Sequence, residues 1–210
     1  MEKVAENIFK ALVQKPILDP HSHINPLAAP SKSLEDILGY HYYTELAHSA
    51  GMDKKFLEPT VPAQEKVREI IRFMDRFDNT AQYSWFLEIA QTFLGFTGDK
   101  ITIKDSDWLW SSAEKKMASG DWEKQVLSLS KLERIFLTND FDDPLKGFDT
   151  QFYIPCLRTD ELVFYFGRNN VRDRLKKITG CDPQNSKELD QALEVLFKHF
   201  TGNNARACAI

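Results

Sequence analysis

Val4, Ile8 and Leu12, with Ala5, Phe9 and Val13 beside them, recur at helical spacing, which predicts an amphipathic helix ending near Pro16. The pattern then shortens to Ile17-Leu18, expected to be a very short buried strand. A loop rich in proline and serine, NPLAAPSKS, comes next, and SLEDILGYHYYTELAHSAGM reads as a helix with Ser33 as its cap. Pro62 opens another, with Val67, Ile70, Ile71, Met74 and Phe77 on one face. NTAQYSWFLEIAQTFLGF makes a third, rich in aromatic residues. From about Leu34 to Leu129 the chain is therefore expected to be mostly helical, too long for a simple connection, and reads as an insertion.

The pattern changes after that. ERIFLTND is an apolar strand over Arg134 to Thr138 that ends in polar residues, and TQFYIPCLRTD repeats the design, ending in Arg158, Thr159 and Asp160. SKELDQALEVLFKHF reads as a helix burying Leu189, Ala192, Leu193, Leu196, Phe197 and Phe200, and ARACAI begins a further strand. Strands that alternate with helices and end in polar residues point to parallel βα units with a site at the strands' C-terminal ends. The expected class is α/β, the N-terminal portion of a TIM-type (β/α)8 barrel with a helical insertion after its first strand. Four candidate strands are visible, whereas a closed barrel has eight and runs to about 250 residues. Half a barrel leaves sheet edges and an apolar interior uncovered, so a C-terminal half, an identical chain or a separate chain is expected to complete it. The boundaries read as 1–33 for the first helix and strand, 34–130 for the insertion and 131–210 for the further βα units.

Chemistry concentrates at the end of the first strand, KPILDPHSHINP. In extended backbone His21 and His23 point the same way with Cα atoms about 6.5 Å apart, so two imidazoles can meet at one metal ion. Asp19 falls on that same face. A polar turn is the alternative for an isolated pair of this kind. Asp140, Asp142 and Asp143 lie at another strand end but equally make a turn or helix start, which favours a supporting role. His48 and His199 read as solvated or capping residues near helix ends. Trp108, Trp110 and Trp122 read as packing within the insertion.

Composition narrows the partners. The chain has 210 residues, 42% hydrophobic and 28% charged, enough for a sizeable core, with a net charge of -4. That charge gives no basis for binding nucleic acid or acidic membrane surfaces, although an acidic small molecule can be held locally. Cys156, Cys181 and Cys208 are odd in number and lack paired spacing, which points to a reducing, cytoplasmic setting without a disulfide framework or thiolate zinc site. Neither a signal peptide nor a membrane-spanning run is visible.

Five segments in register resemble the uronate (glucuronate) isomerases, a branch of the amidohydrolase superfamily. LDPHSHINP is similar to that family's D-x-H-x-H-L-x-P, and LGYHYYTELAHSAGM to its helix with a His-Tyr pair and a later glycine. NTAQYSWFLEIAQTFLGF resembles its N-P-x-Y-x-W segment, IFLTNDFDDP its T-T-D-D-P strand end, and YIPCLRTDEL its F-R-P-D strand end. The resemblance implies His21 and His23 as ligands of a divalent metal, zinc first among the candidates, since imidazole suits such ions. It also implies His41 and Tyr42 as substrate-facing groups and Arg158 as the cation holding a uronate carboxylate, for which a planar guanidinium is well matched.

The activity implied is interconversion of D-glucuronate and D-fructuronate by proton transfer from C2 to C1 through an enediol. Tyr42, or an aspartate that the family carries beyond this segment, is the implied base; that aspartate also serves the family as a metal ligand. The family usually follows His-Tyr with Lys-Trp-Arg, where this chain has Tyr43, Thr44 and Glu45, and it has proline where this chain has Thr159. A metal-dependent hydrolase on the same barrel and a relative that has lost its chemistry are the competing readings; Glu45 in place of the expected cation keeps the latter open. The partners expected are thus a small uronate sugar and a further copy or half, with neither nucleic acid nor membrane.

Overall fold

Apolar residues every three to four positions, with charged residues between them, make the first helix of the computed structural model, which describes residues 2–209. This helix, α1 (Glu2–Leu12), leads into β1 (Ile17–Asp19). The apolar face of α1 is open, with Ile8 54% and Phe9 65% exposed. The first strand also departs from expectation: Ile17 and Leu18 are half exposed, at 51% and 50%, rather than buried. Among the described residues β1 is paired along one edge only, so no second neighbour covers these side chains. The chain divides into two compact units, Pro30–Leu129 and the combination of Met1–Ala29 with Ser130–Ile210.

The unit Pro30–Leu129 is helical. Where a single helix is expected after Ser33 there are two, α2 (Leu34–Leu38) and α3 (His41–Ser49), separated at Gly39 and Tyr40. Ser33 accepts from the Asp36 N–H at 3.1 Å while Asp36 accepts from the Ser33 N–H at 3.0 Å, a reciprocal cap that fixes where α2 begins. Pro62 precedes α4 (Ala63–Phe73), whose Val67, Ile70 and Ile71 are buried. In α5 (Ala81–Ile89) the Thr80 hydroxyl caps the start, and a π turn over Ala90–Leu94 ends at Gly95, whose φ of 82° suits a residue without Cβ. Helices α6 (Ser106–Met117) and α7 (Trp122–Leu129) complete the unit. Leu38, Ile70, Met74, Phe86 and Leu109 form its core, and the buried Trp122 donates its indole N–H to the Ser31 carbonyl at 2.9 Å.

The other unit resumes with β2 (Leu132–Phe136), β3 (Tyr153–Ile154) and β4 (Cys156–Arg158). Three helices, α8 (Asp160–Phe164), α9 (Asn169–Thr179) and α10 (Ser186–Gly202), precede β5 (Ala207–Ala209). The ladders β1·β2, β2·β3 and β4·β5 are all parallel. What reads as one strand in YIPCLR is split at Pro155, which has no N–H to give. Asn139 carries the ladder past that break: its N–H reaches the Cys156 carbonyl at 2.9 Å, and its carbonyl accepts from the Arg158 N–H at 3.0 Å. Its side-chain oxygen also accepts from the Cys156 N–H, at 3.2 Å. Lateral order therefore follows chain order, from β1 through β2 and the interrupted third strand to β5.

Helices α9 and α10 cover this sheet through Val171, Leu175, Ala192, Leu196 and Phe200, packed with Phe141 and Leu157. Phe197, expected on the buried face of α10, is instead 45% exposed. It lies one residue beyond the Ala192–Leu196–Phe200 row, at the margin of the stripe. No described helix is long and apolar enough to cross a membrane.

Candidate active site at the strand ends

Pro20 offers no N–H, so regular pairing stops at the end of β1, but the chain stays tied to β2. The Ser22 N–H donates to the Phe136 carbonyl at 2.9 Å, and the Thr138 hydroxyl donates to the Ser22 carbonyl at 3.1 Å. Held this way, His21 and His23 project to the same side, their Nε2 atoms 3.2 Å apart and their rings nearly perpendicular at 83°. Two nitrogens at Zn–N distances of about 2.05 Å in tetrahedral geometry lie about 3.3 Å apart, so the observed separation fits a shared divalent ion. Asp19, on the same face by alternation, accepts the His21 N–H at 3.2 Å and so shapes the turn. Among the described residues no cluster of three or more His, Cys, Asp or Glu is poised for a metal.

Arg158 ends β4 at the same C-terminal side of the parallel sheet. It stands two strand spacings from β1, about 10 Å at ~4.8 Å per spacing. Its Nε–H donates to Asp160 at 2.8 Å, which raises the guanidinium's pKa and lowers that of the Asp160 carboxyl. Both line a pocket of about 500 Å³ with Asp140, Glu161, Tyr165 and Arg174. Arg174, on α9, is the residue that sequence reasoning missed. It donates to Asp142 at 2.9 and 2.5 Å and to Glu161 at 2.5 Å, so its charge is already matched by carboxylates. Those bonds hold the Asp142 carboxyl below the ordinary aspartate range. Asp143 supports the backbone, accepting from the Leu145 N–H at 2.8 Å and the Asn139 side chain at 3.0 Å. Asp142 and Asp143 thus have the supporting role read from the sequence, and only Asp140 is left mostly exposed, 3.7 Å from Arg174.

His41 and Tyr42 begin α3 in the helical unit, exposed and in mutual ring contact at 4.3 Å, with Tyr40 against both. Tyr43 turns the other way: it is buried against Phe86, and burial raises its phenol pKa. Its departure from the family pattern is therefore absorbed by the core, whereas Glu45 is exposed. His48 binds the Met52 carbonyl at 3.0 Å and His199 the Asp143 carbonyl at 2.9 Å, so each is engaged with backbone. Trp108 and Trp122 have different aromatic partners, Phe96 and Phe93, within the helical unit.

These features define a class: a parallel α/β protein with a histidine pair suited to a divalent ion and an arginine at the strand ends. The family model described as glucuronate isomerase (UxaC) matches residues 1–209, and the chain belongs to that family. It is 26% identical over 220 residues to the uronate isomerase of Clostridium acetobutylicum, covering 95% of this chain and 47% of that protein. To the uronate isomerase of Latilactobacillus sakei it is 23% identical, covering 92% and 45%. The crystal structure of glucuronate isomerase from Caulobacter crescentus shares the fold, with TM-score 0.77 at 19% identity over 92% of this chain and 45% of that one. That of uronate isomerase from Thermotoga maritima gives TM-score 0.73 at 21% identity, over 92% and 46%. The chain thus spans about half the length of the relatives it matches.

Proposed function

We propose that this chain contributes the histidine pair and the carboxylate-binding arginine of a uronate isomerase that interconverts D-glucuronate and D-fructuronate. The observation that carries the reading is the convergence of His21 and His23, within a chain that matches the family model along almost all its length. A divalent ion held by these residues, zinc by the chemistry of the donors, would supply positive charge to sugar oxygens as the enediol forms. Arg158 binds the uronate carboxylate; its bond to Asp160 keeps the guanidinium charged and oriented. His41 orients sugar oxygens, and Tyr42 or an aspartate contributed from outside this segment moves the proton between C2 and C1.

On the same reading the strands β1, β2, β3 with β4, and β5 are the first four of a (β/α)8 barrel. Their wholly parallel pairing in chain order supports this, as does the likeness to the first half of the solved isomerases. A C-terminal half or a further copy of the chain would complete the barrel over Ile17 and Leu18. The three cysteines, all free, suit a cytoplasmic protein.

Proton NMR of D-glucuronate in D2O with the natural-length protein and Zn2+ tests the activity. Exchange of the C2 proton and appearance of fructuronate are expected, abolished by His21→Ala and reduced about 10- to 100-fold by Arg158→Met, as for removal of a charge-assisted contact. Absence of exchange from folded, zinc-loaded protein would reject the isomerase reading and leave the shared fold.

A further inference from the structure

The hydrogen-bond contacts around the histidine pair restrict which nitrogen can carry each proton. A carbonyl oxygen only accepts, so the 3.1 Å contact between Thr138 Oγ1 and the Ser22 carbonyl consumes the single hydroxyl proton of Thr138. The same oxygen lies 3.0 Å from His23 Nδ1, and with its proton spent it can only accept there. Both contacts are hydrogen bonds at once only if His23 holds its proton on Nδ1, which leaves the Nε2 lone pair directed toward His21 Nε2, 3.2 Å away. In the metal-free chain this contact is then a hydrogen bond only if His21 donates from its Nε2.

We propose that Thr138 is a positioning residue that fixes His23 as the Nδ1–H tautomer and so presents its Nε2 lone pair, already formed, to the divalent ion. This rests on the metal reading above and deepens it. The two ligands become unequal. His23 is ready to bind, whereas His21 carries its proton on the very atom that faces the ion and must transfer it to Nδ1 before binding. Thr138 also ties the Ser22 backbone, so one hydroxyl sets both the ring's proton and the path of the segment between the two ligands.

Long-range ¹H–¹⁵N correlation spectra of the metal-free full chain read the tautomers directly, and calorimetric titration with Zn2+ alone reads affinity. The expected spectrum has a pyrrole-like Nδ1 and a pyridine-like Nε2 for His23, and the opposite for His21. Thr138→Val, equal in shape but without the hydroxyl, should give His23 a mixed tautomer signal and weaken zinc about 10- to 100-fold. Thr138→Ser should restore both. A wild-type His23 protonated at Nε2 would overturn the proposal, as would unchanged zinc affinity in a folded Thr138→Val protein whose tautomer has become mixed. If the wild type binds zinc no better than His21→Ala, the metal reading itself fails, and the proposal with it, whatever the spectra show.

Discussion

At the scale of single residues, the site is held by bonds that join positions distant in sequence. The histidine pair was legible from the chain because alternation in extended backbone is a local rule, and His21 and His23 obey it. Thr138 was not, because its partnership with His23 spans 115 positions and depends on the register of two strands. Arg174 was invisible for a similar reason: nothing in DDP names the helix whose guanidinium will meet Asp142. That pair has a pH consequence. Because the native pKa of Asp142 is depressed, its contribution to stability is complete above the ordinary aspartate value of about 3.9 and disappears as pH falls through the native one. Urea midpoints followed from pH 7 downward should fall more gently below about pH 4 in Asp142→Asn than in the wild type. A steeper fall in the variant would contradict the assignment of that carboxylate to Arg174.

At the scale of elements, local patterns located α1, α4, α5 and α10 but passed over α8 and α9, and they read helix ends less well. Ser33 announced a helix start because its partner, Asp36, lies three residues on. The break at Gly39 was hidden inside an otherwise continuous helical stretch, and the split at Pro155 inside a continuous apolar one. In α10 the row Ala192, Leu196 and Phe200 was readable from its four-residue period, whereas Phe197 belongs to the stripe only by hydrophobicity and is exposed in the fold. Leu196→Ala should therefore cost about 2–5 kcal/mol by cavity formation, measured by denaturant unfolding. Phe197→Ala should cost far less. Equal losses would show that the face buried by α10 is misassigned.

At the scale of the whole molecule, the class of α/β protein was legible because strand and helix patterns alternate after residue 130. The half-exposed β1 was not, because burial depends on neighbours that a strand's own residues do not reveal. The bond from Trp122 to the Ser31 carbonyl, 91 residues away, ties the two ends of the helical unit together. Parallel pairing of Ile17 with Leu132 closes a loop of roughly a hundred residues, a slow event for an unstructured chain. Helices that pack locally form sooner, and once Trp122 is fastened to Ser31 the intervening residues no longer count as slack. The loop left to close is about two dozen residues, which lowers its entropic cost by about 1 kcal/mol. Pulse-labelled hydrogen exchange should find amides of the helical unit protected before those of β1 and β2. Trp122→Phe should slow protection of the strands severalfold while leaving early helix protection in place. The hundred residues that separate the first two strands would then work as a clock, holding back the sheet until its connection has become short.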